Sequence, residues 1–137
     1  MSANATMVAK RSGVYRAPAQ VDVVRKSAEK AELLWLELPL QTVSNKKQFL
    51  AVCVKRLKLP PYFGGNWDAL ADCVRDFNWL KGKGYVLHIV SPEKFAKAAA
   101  DDYQTALDVL TEAADFWNGN GTPFIVFVDG AKDLPAF

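Results

Sequence analysis

Asp68, Asp72 and Asp76 recur at intervals of four within the stretch LPPYFGGNWDALADCVRDF (59–77). Residues four apart lie on one side of an α-helix, so this spacing stacks three carboxylates in a column. Such a column has two chemical uses. It could supply hard oxygen ligands to a divalent cation, with Glu112 as a further donor. It could also form a negative surface that steers a basic partner and speeds its association. Carboxylates along one exposed helix face seldom converge on a cation without a second element, so the reading adopted is a docking surface with no bound metal.

The column has a local cost. Like charges four apart destabilise a helix by about 0.2–0.5 kcal/mol per pair. Asp68 sits in the first turn, where the helix dipole favours an anion. Asp72 is mid-helix, and only Arg75, three residues on, can relieve it. A solvated acidic face would explain one such helix, but the pattern recurs. Asp101, Asp102, Asp108, Glu112 and Asp115 follow with no Lys or Arg from 98 to 118, and Asp108, Glu112 and Asp115 share a face. Basic residues gather instead at Lys46, Lys47, Lys55, Arg56 and Lys58. The charge is segregated.

The elements that position these groups are legible from pattern. At about 100° per residue, a helix over 66–77 puts Trp67, Leu70, Val74 and Phe77 on its core side, with Cys73 beside them. Asn66 is its N-cap. Pro60 and Pro61 stop the preceding helix, 46–59, whose caps are Ser44 and Asn45. Gly64 and Gly65 give the intervening turn its backbone freedom. Buried strands are predicted at 33–40, 85–90 and 123–128, near-continuous apolar runs of the kind a parallel sheet buries on both faces. Ser91-Pro92-Glu93 opens a helix over 93–100, which runs into a second over 102–117. Ahead of all this, GVYRAP reads as a short strand and 22–33 as a helix. The fold class is therefore α/β: β-α-α-β-α-α-β with a small three-stranded parallel sheet, plus an N-terminal βα-like extension.

Bulk properties bound the function. The chain has 137 residues, half of them apolar, which suits one self-sufficient domain over 13–137 behind a disordered basic tail, 1–12. Residues 1–30 carry a balance of +4 and residues 31–137 one of −2, so the basic total belongs to the N-terminal segment. No apolar run reaches a membrane span, and the start lacks a signal-peptide core, so a cytoplasmic protein with no membrane contact is expected. Cys53 and Cys73 read as buried thiols. The only histidine, His88, lies in a strand pattern and reads as a core or sheet-edge residue, not a general base. No phosphate loop or nucleophile motif appears, and neither an enzyme nor a cofactor is expected. Direct nucleic-acid binding through Lys10, Arg11, Tyr15, Arg16, Arg25 and Lys26 is the weaker reading, because the acidic body would repel phosphate.

The stretch Leu59-Pro60, Tyr62-Phe63, Gly64, Asn66, Asp68-Ala69-Leu70, Asp72-Cys73 resembles the barstar family, intracellular inhibitors of barnase-type ribonucleases. Longer bacterial members look similar at GVYRAP and EAADFWNGNGTPF as well. The resemblance implies a barstar-like three-layer fold. It implies a protein partner, a barnase-type ribonuclease, whose active site is plugged by the acidic helix and the turn before it, with carboxylates where RNA phosphates would sit. It also implies the setting of a toxin–antitoxin or immunity protein. By position Asp72 would be the central phosphate mimic and Asp68 the second acidic contact. Tyr62 would stack on the enzyme's rim, Gly64 would allow close backbone approach, and Asn66 would cap the helix near the partner. Glu112 matches a further acidic contact, and Asp76 completes the patch. The chain departs from the family's reference inhibitor at Ala71, where a tryptophan is missing, and at Pro61 and Gly65, where acidic residues are missing. A monomer is expected. The alternative is a barstar-fold interaction module with a basic partner that is not a nuclease.

Overall fold

The computed structural model describes residues 12–61 and 63–137. The expected tail, apart from Ser12, lies outside the described residues, and so does Tyr62. The elements run β1 Gly13–Arg16, α1 Val21–Lys30, β2 Leu34–Pro39, α2 Lys46–Arg56, α3 Trp67–Val74, β3 Tyr85–Val90, α4 Glu93–Ala98, α5 Ala100–Gly119 and β4 Phe124–Val128.

The sheet is parallel throughout, in the order β1-β4-β3-β2. The three strands expected as the core are joined by β1, which pairs with β4 from Gly13↔Ile125 to Arg16↔Val128. The extension therefore supplies an edge strand to the same sheet. β3 and β4 lie in the middle and are buried on both faces, which is why their sequences, YVLHIV and FIVFV, are almost unbroken apolar runs.

Alternation along the strands divides the core in two. One face offers Leu36, Leu38, Leu87, Ile89, Phe124, Val126 and Val128 to a cluster that includes Phe49, Leu50, Leu70, Val74, Phe95 and Leu110 from α2 to α5. The other face offers Trp35, Val86, Ile125 and Phe127 to Ala28, Val21 and Val24 of α1 and to Phe137. The result is three layers, with α1 on one side of the sheet and α2–α5 on the other.

Helix ends fall earlier than apolar periodicity suggests, and for one reason. Glu32, Lys58 and Phe77 adopt left-handed backbone with φ of 62°, 53° and 50°. Leu33 N–H then reaches back to Ala28 O and Leu59 N–H to Val54 O, the closing bonds of a Schellman end. Glycine usually marks that position, and none stands there. Helix 22–33 thus ends at Lys30 and helix 46–59 at Arg56. Ser91 also differs from expectation. Its φ of 52° takes it out of the cap position, Pro92 precedes the first turn of α4, and Ser91 N–H donates to Asp129 Oδ2 at 3.2 Å.

Candidate partner-binding site

The site is built on α3, and α3 is tied down at both ends. At its start Asn66 is extended, with φ −133°, and its Oδ1 accepts from Ala69 N–H at 2.8 Å. That satisfies one of the four donors a helix start leaves open. The same arrangement opens α2, where Asn45 Oδ1 accepts from Gln48 N–H at 2.8 Å and Gln48 Oε1 accepts from Ser44 N–H at 2.7 Å. Between them, Phe63 N–H to Pro60 O closes a turn. Gly65 is left-handed, φ 72°, so glycine is favoured there by backbone geometry. Gly64 is not: a Cβ on it would meet only ordinary contacts, Asn66 Nδ2 at 3.5 Å and Ala69 Cβ at 3.8 Å.

At its end α3 is held by a tryptophan. Trp117 of α5 donates its indole N–H to Val74 O at 2.7 Å, taking a carbonyl that has no partner within the helix. Trp79 does the same for α2, donating to Leu57 O at 3.0 Å. Phe77 turns fully into the core, with its ring 4.9 Å from Tyr85 and 5.7 Å from Trp79. Burying Phe77 is what ends the helix at Val74.

This corrects the column of three acids. Asp68 and Asp72 lie on α3, but Asp76 follows the helix, in the turn where its N–H reaches Cys73 O at 3.1 Å. All three are exposed. The Asp72 side chain is 78 % accessible. Arg75 relieves it as anticipated: one guanidinium nitrogen lies 3.0 Å from Asp72 Oδ1, while Nε donates to Ala71 O at 3.1 Å. Glu112 is exposed on α5, the helix that packs against α3.

The negative field is felt inward. Burial, then the Asp72 and Asp76 carboxylates, push the Cys73 thiol up from its ordinary value. Burial, then Asp76, push the Tyr85 phenol up. Cys53 is raised far more, by burial alone. Both cysteines are free and buried, as expected.

The rival site at His88 is structural. The ring is buried on central strand β3, with Nε2 2.8 Å from Asp129 Oδ1. Nδ1 has no hydrogen-bond partner among the described residues and faces Glu37 Oε2 at 3.6 Å. Arg25 is held at Glu37 (3.6 Å), at Glu29 (3.4 Å) and over the Trp35 ring, so it is engaged within the fold. Periodicity alone could not show that Glu37 and Asp129 flank His88, since they come from opposite neighbours in the sheet. Among the described residues, no group of three or more His, Cys, Asp or Glu is arranged to hold a metal ion. No helix among them is long and apolar enough to cross a membrane.

A family model described as Barstar (barnase inhibitor) matches residues 33–129. The chain belongs to the Barstar family. The match begins at the threshold of β2 and ends just after β4, so α3 and its flanking turns lie inside it, while β1 and α1 lie outside. No curated protein matches the chain. In this Barstar-family member, then, the family region forms three strands and four helices, and the N-terminal segment adds the fourth strand and covers the opposite face of the sheet.

Proposed function

We propose that this protein is an inhibitor of a barnase-type ribonuclease and acts by plugging the enzyme's basic active site with α3 and the turn before it. The observation that carries this reading is the position of Asp72: it lies within the family-matched region, on a capped helix, with its carboxylate largely open to solvent. A ribonuclease active site must hold cationic groups for a phosphodiester. An exposed carboxylate on a rigid helix can take the place of that phosphate without being cleaved.

In this reading Asp72 meets the centre of the cationic site and Asp68 its second cation. Asp76 and Glu112 extend the acidic surface, Gly64 and Asn66 form the near edge, and Tyr62 stacks on the enzyme's rim. Gly64 is the cleanest of these, because the fold does not demand a glycine there and close approach of a partner would. The protein itself performs no catalysis and needs no metal or cofactor. It acts as a monomer in the cytoplasm, binding neither RNA nor membrane, as the antitoxin or immunity half of a pair.

Calorimetric titration against a catalytically inactive barnase-type ribonuclease tests the reading. One-to-one binding that a mononucleotide competes away is expected. Binding left intact by the mononucleotide would contradict an active-site plug. Capture by a basic protein that is not a nuclease, lost in Asp72→Asn, would favour an interaction module on the same scaffold.

A further inference from the structure

Asp72 is not free in the unbound protein. Arg75 lies 3.0 Å from its Oδ1, and the same guanidinium is fixed a second time by Ala71 O at 3.1 Å. Two anchors on one side chain hold the positive group beside the acid that matters most in the proposed function. Apart from Arg75, no hydrogen bond or ion pair to Asp72 is seen among the described residues. Oδ2 is left as the open oxygen. Among the described residues, Asp68 and Asp76 have no such counter-ion.

We infer that Arg75 is an affinity- and specificity-determining residue of the binding surface: an internal counter-ion that a partner must outbid at Asp72. The inference rests on the inhibitor reading. A partner cation that reaches the free oxygen of Asp72 comes within about 6 Å of Arg75, taking 3.0 Å for the internal pair and about 3 Å for a charge-assisted bond. A like charge at that distance weakens binding roughly threefold through water and roughly a hundredfold through the lower effective dielectric of a protein surface. Arg75 therefore favours a partner guanidinium, which can take both carboxylate oxygens and so gains more at Asp72 than the repulsion removes. It rejects a surface that offers one isolated ammonium.

Arg75 also follows the last residue of α3, where the helix dipole favours a cation. Its two effects have opposite signs. Removing it lowers the stability of α3 while raising affinity for a cationic partner, a combination that a purely structural residue does not produce.

The test is a charge series, Arg75→Lys, Arg75→Gln and Arg75→Glu, with Asp72→Asn alongside. Association rate and affinity for an inactive barnase-type ribonuclease are measured at low and at physiological salt, with unfolding curves for each variant. Affinity is expected to rise in the order wild type and Lys, then Gln, then Glu. The gain for Gln at low salt should be at least threefold and should shrink as salt rises. Binding by Arg75→Glu where the wild type shows none is the extreme form of that result. A flat series, or weaker binding by folded Gln and Glu variants while Asp72→Asn abolishes binding, overturns the role of Arg75 and leaves the inhibitor reading standing. Asp72→Asn binding as tightly as wild type overturns both, as does failure of every variant to bind.

Discussion

Trp117→Phe tests how the acidic helix is held. The indole N–H donates to Val74 O at 2.7 Å, and Val74 is the last residue of α3, so its carbonyl finds no partner inside the helix. Phenylalanine keeps an aromatic ring against Tyr85, whose centroid lies 5.4 Å away, but supplies no donor. Leaving a part-buried carbonyl unpaired costs about 1–3 kcal/mol. Losing the outer part of the indole removes about 1 kcal/mol of apolar burial. The sum, roughly 2–4 kcal/mol, should lower the urea midpoint by about 1 M or more at unchanged m value. The assay is equilibrium urea unfolding followed by circular dichroism, with calorimetry as a check on two-state behaviour. A midpoint within experimental error of the wild type would mean that the α5–α3 clip contributes nothing net. A lower m value would mean that the substitution had changed the compactness of the native or denatured state, not the clip alone.

Other expectations use chemistry that needs no partner. Because Asp72 and Asp76 raise the Cys73 thiol after burial does, Asp72→Asn and Asp76→Asn should each lower its pKa and speed its alkylation by neutral iodoacetamide near pH 8, read by mass spectrometry; equal rates in all three proteins would contradict that field. Cys53 should stay unlabelled under the same conditions unless the protein unfolds. Burial raises the Cys53 thiol above its ordinary value of 9.0, so the unfolded chain binds fewer protons than the folded one above that pH. The stability present below pH 9.0 should then be lost on going higher, at about 1.4 kcal/mol per pH unit for one such group. Cys53→Ala should flatten that slope, leaving the parts due to Cys73, Tyr85 and Tyr103, which are also raised; an unchanged slope would show that Cys53 does not titrate in the unfolded range.

The order of strands and helices was legible because buried parallel strands and capped helices have direct signals. Asn45 and Asn66 announced two helix starts, and both cap as expected. Helix ends were harder to read, because Glu32, Lys58 and Phe77 take left-handed backbone without glycine to mark it. What compensates them is tertiary: Phe77 is fully buried, and Trp79 and Trp117 take the carbonyls that α2 and α3 leave open. Such partners are 22 and 43 residues distant in sequence, beyond the reach of any local pattern. That is why three aspartates at perfect helical spacing became two on a helix and one in a turn. The Arg75–Asp72 pair could be anticipated from an i,i+3 spacing, but its second anchor at Ala71 O could not. The N-terminal strand was visible as GVYRAP, whereas its place beside β4 followed only from the sheet.

Inhibition of RNA cleavage bears most directly on the proposed function. A barnase-type ribonuclease at fixed concentration is titrated with the wild-type protein and with Asp72→Ala, each shown beforehand to be folded. Asp72 is exposed, its repulsion from Asp68 opposes its attraction to Arg75, and each is worth about 0.2–0.5 kcal/mol, so the variant should be nearly as stable as the wild type. The expected result is activity falling to zero at one equivalent of wild-type protein and persisting at one equivalent of Asp72→Ala. Full activity in the presence of excess folded wild type, or equal inhibition by both proteins, would contradict a phosphate mimic at Asp72.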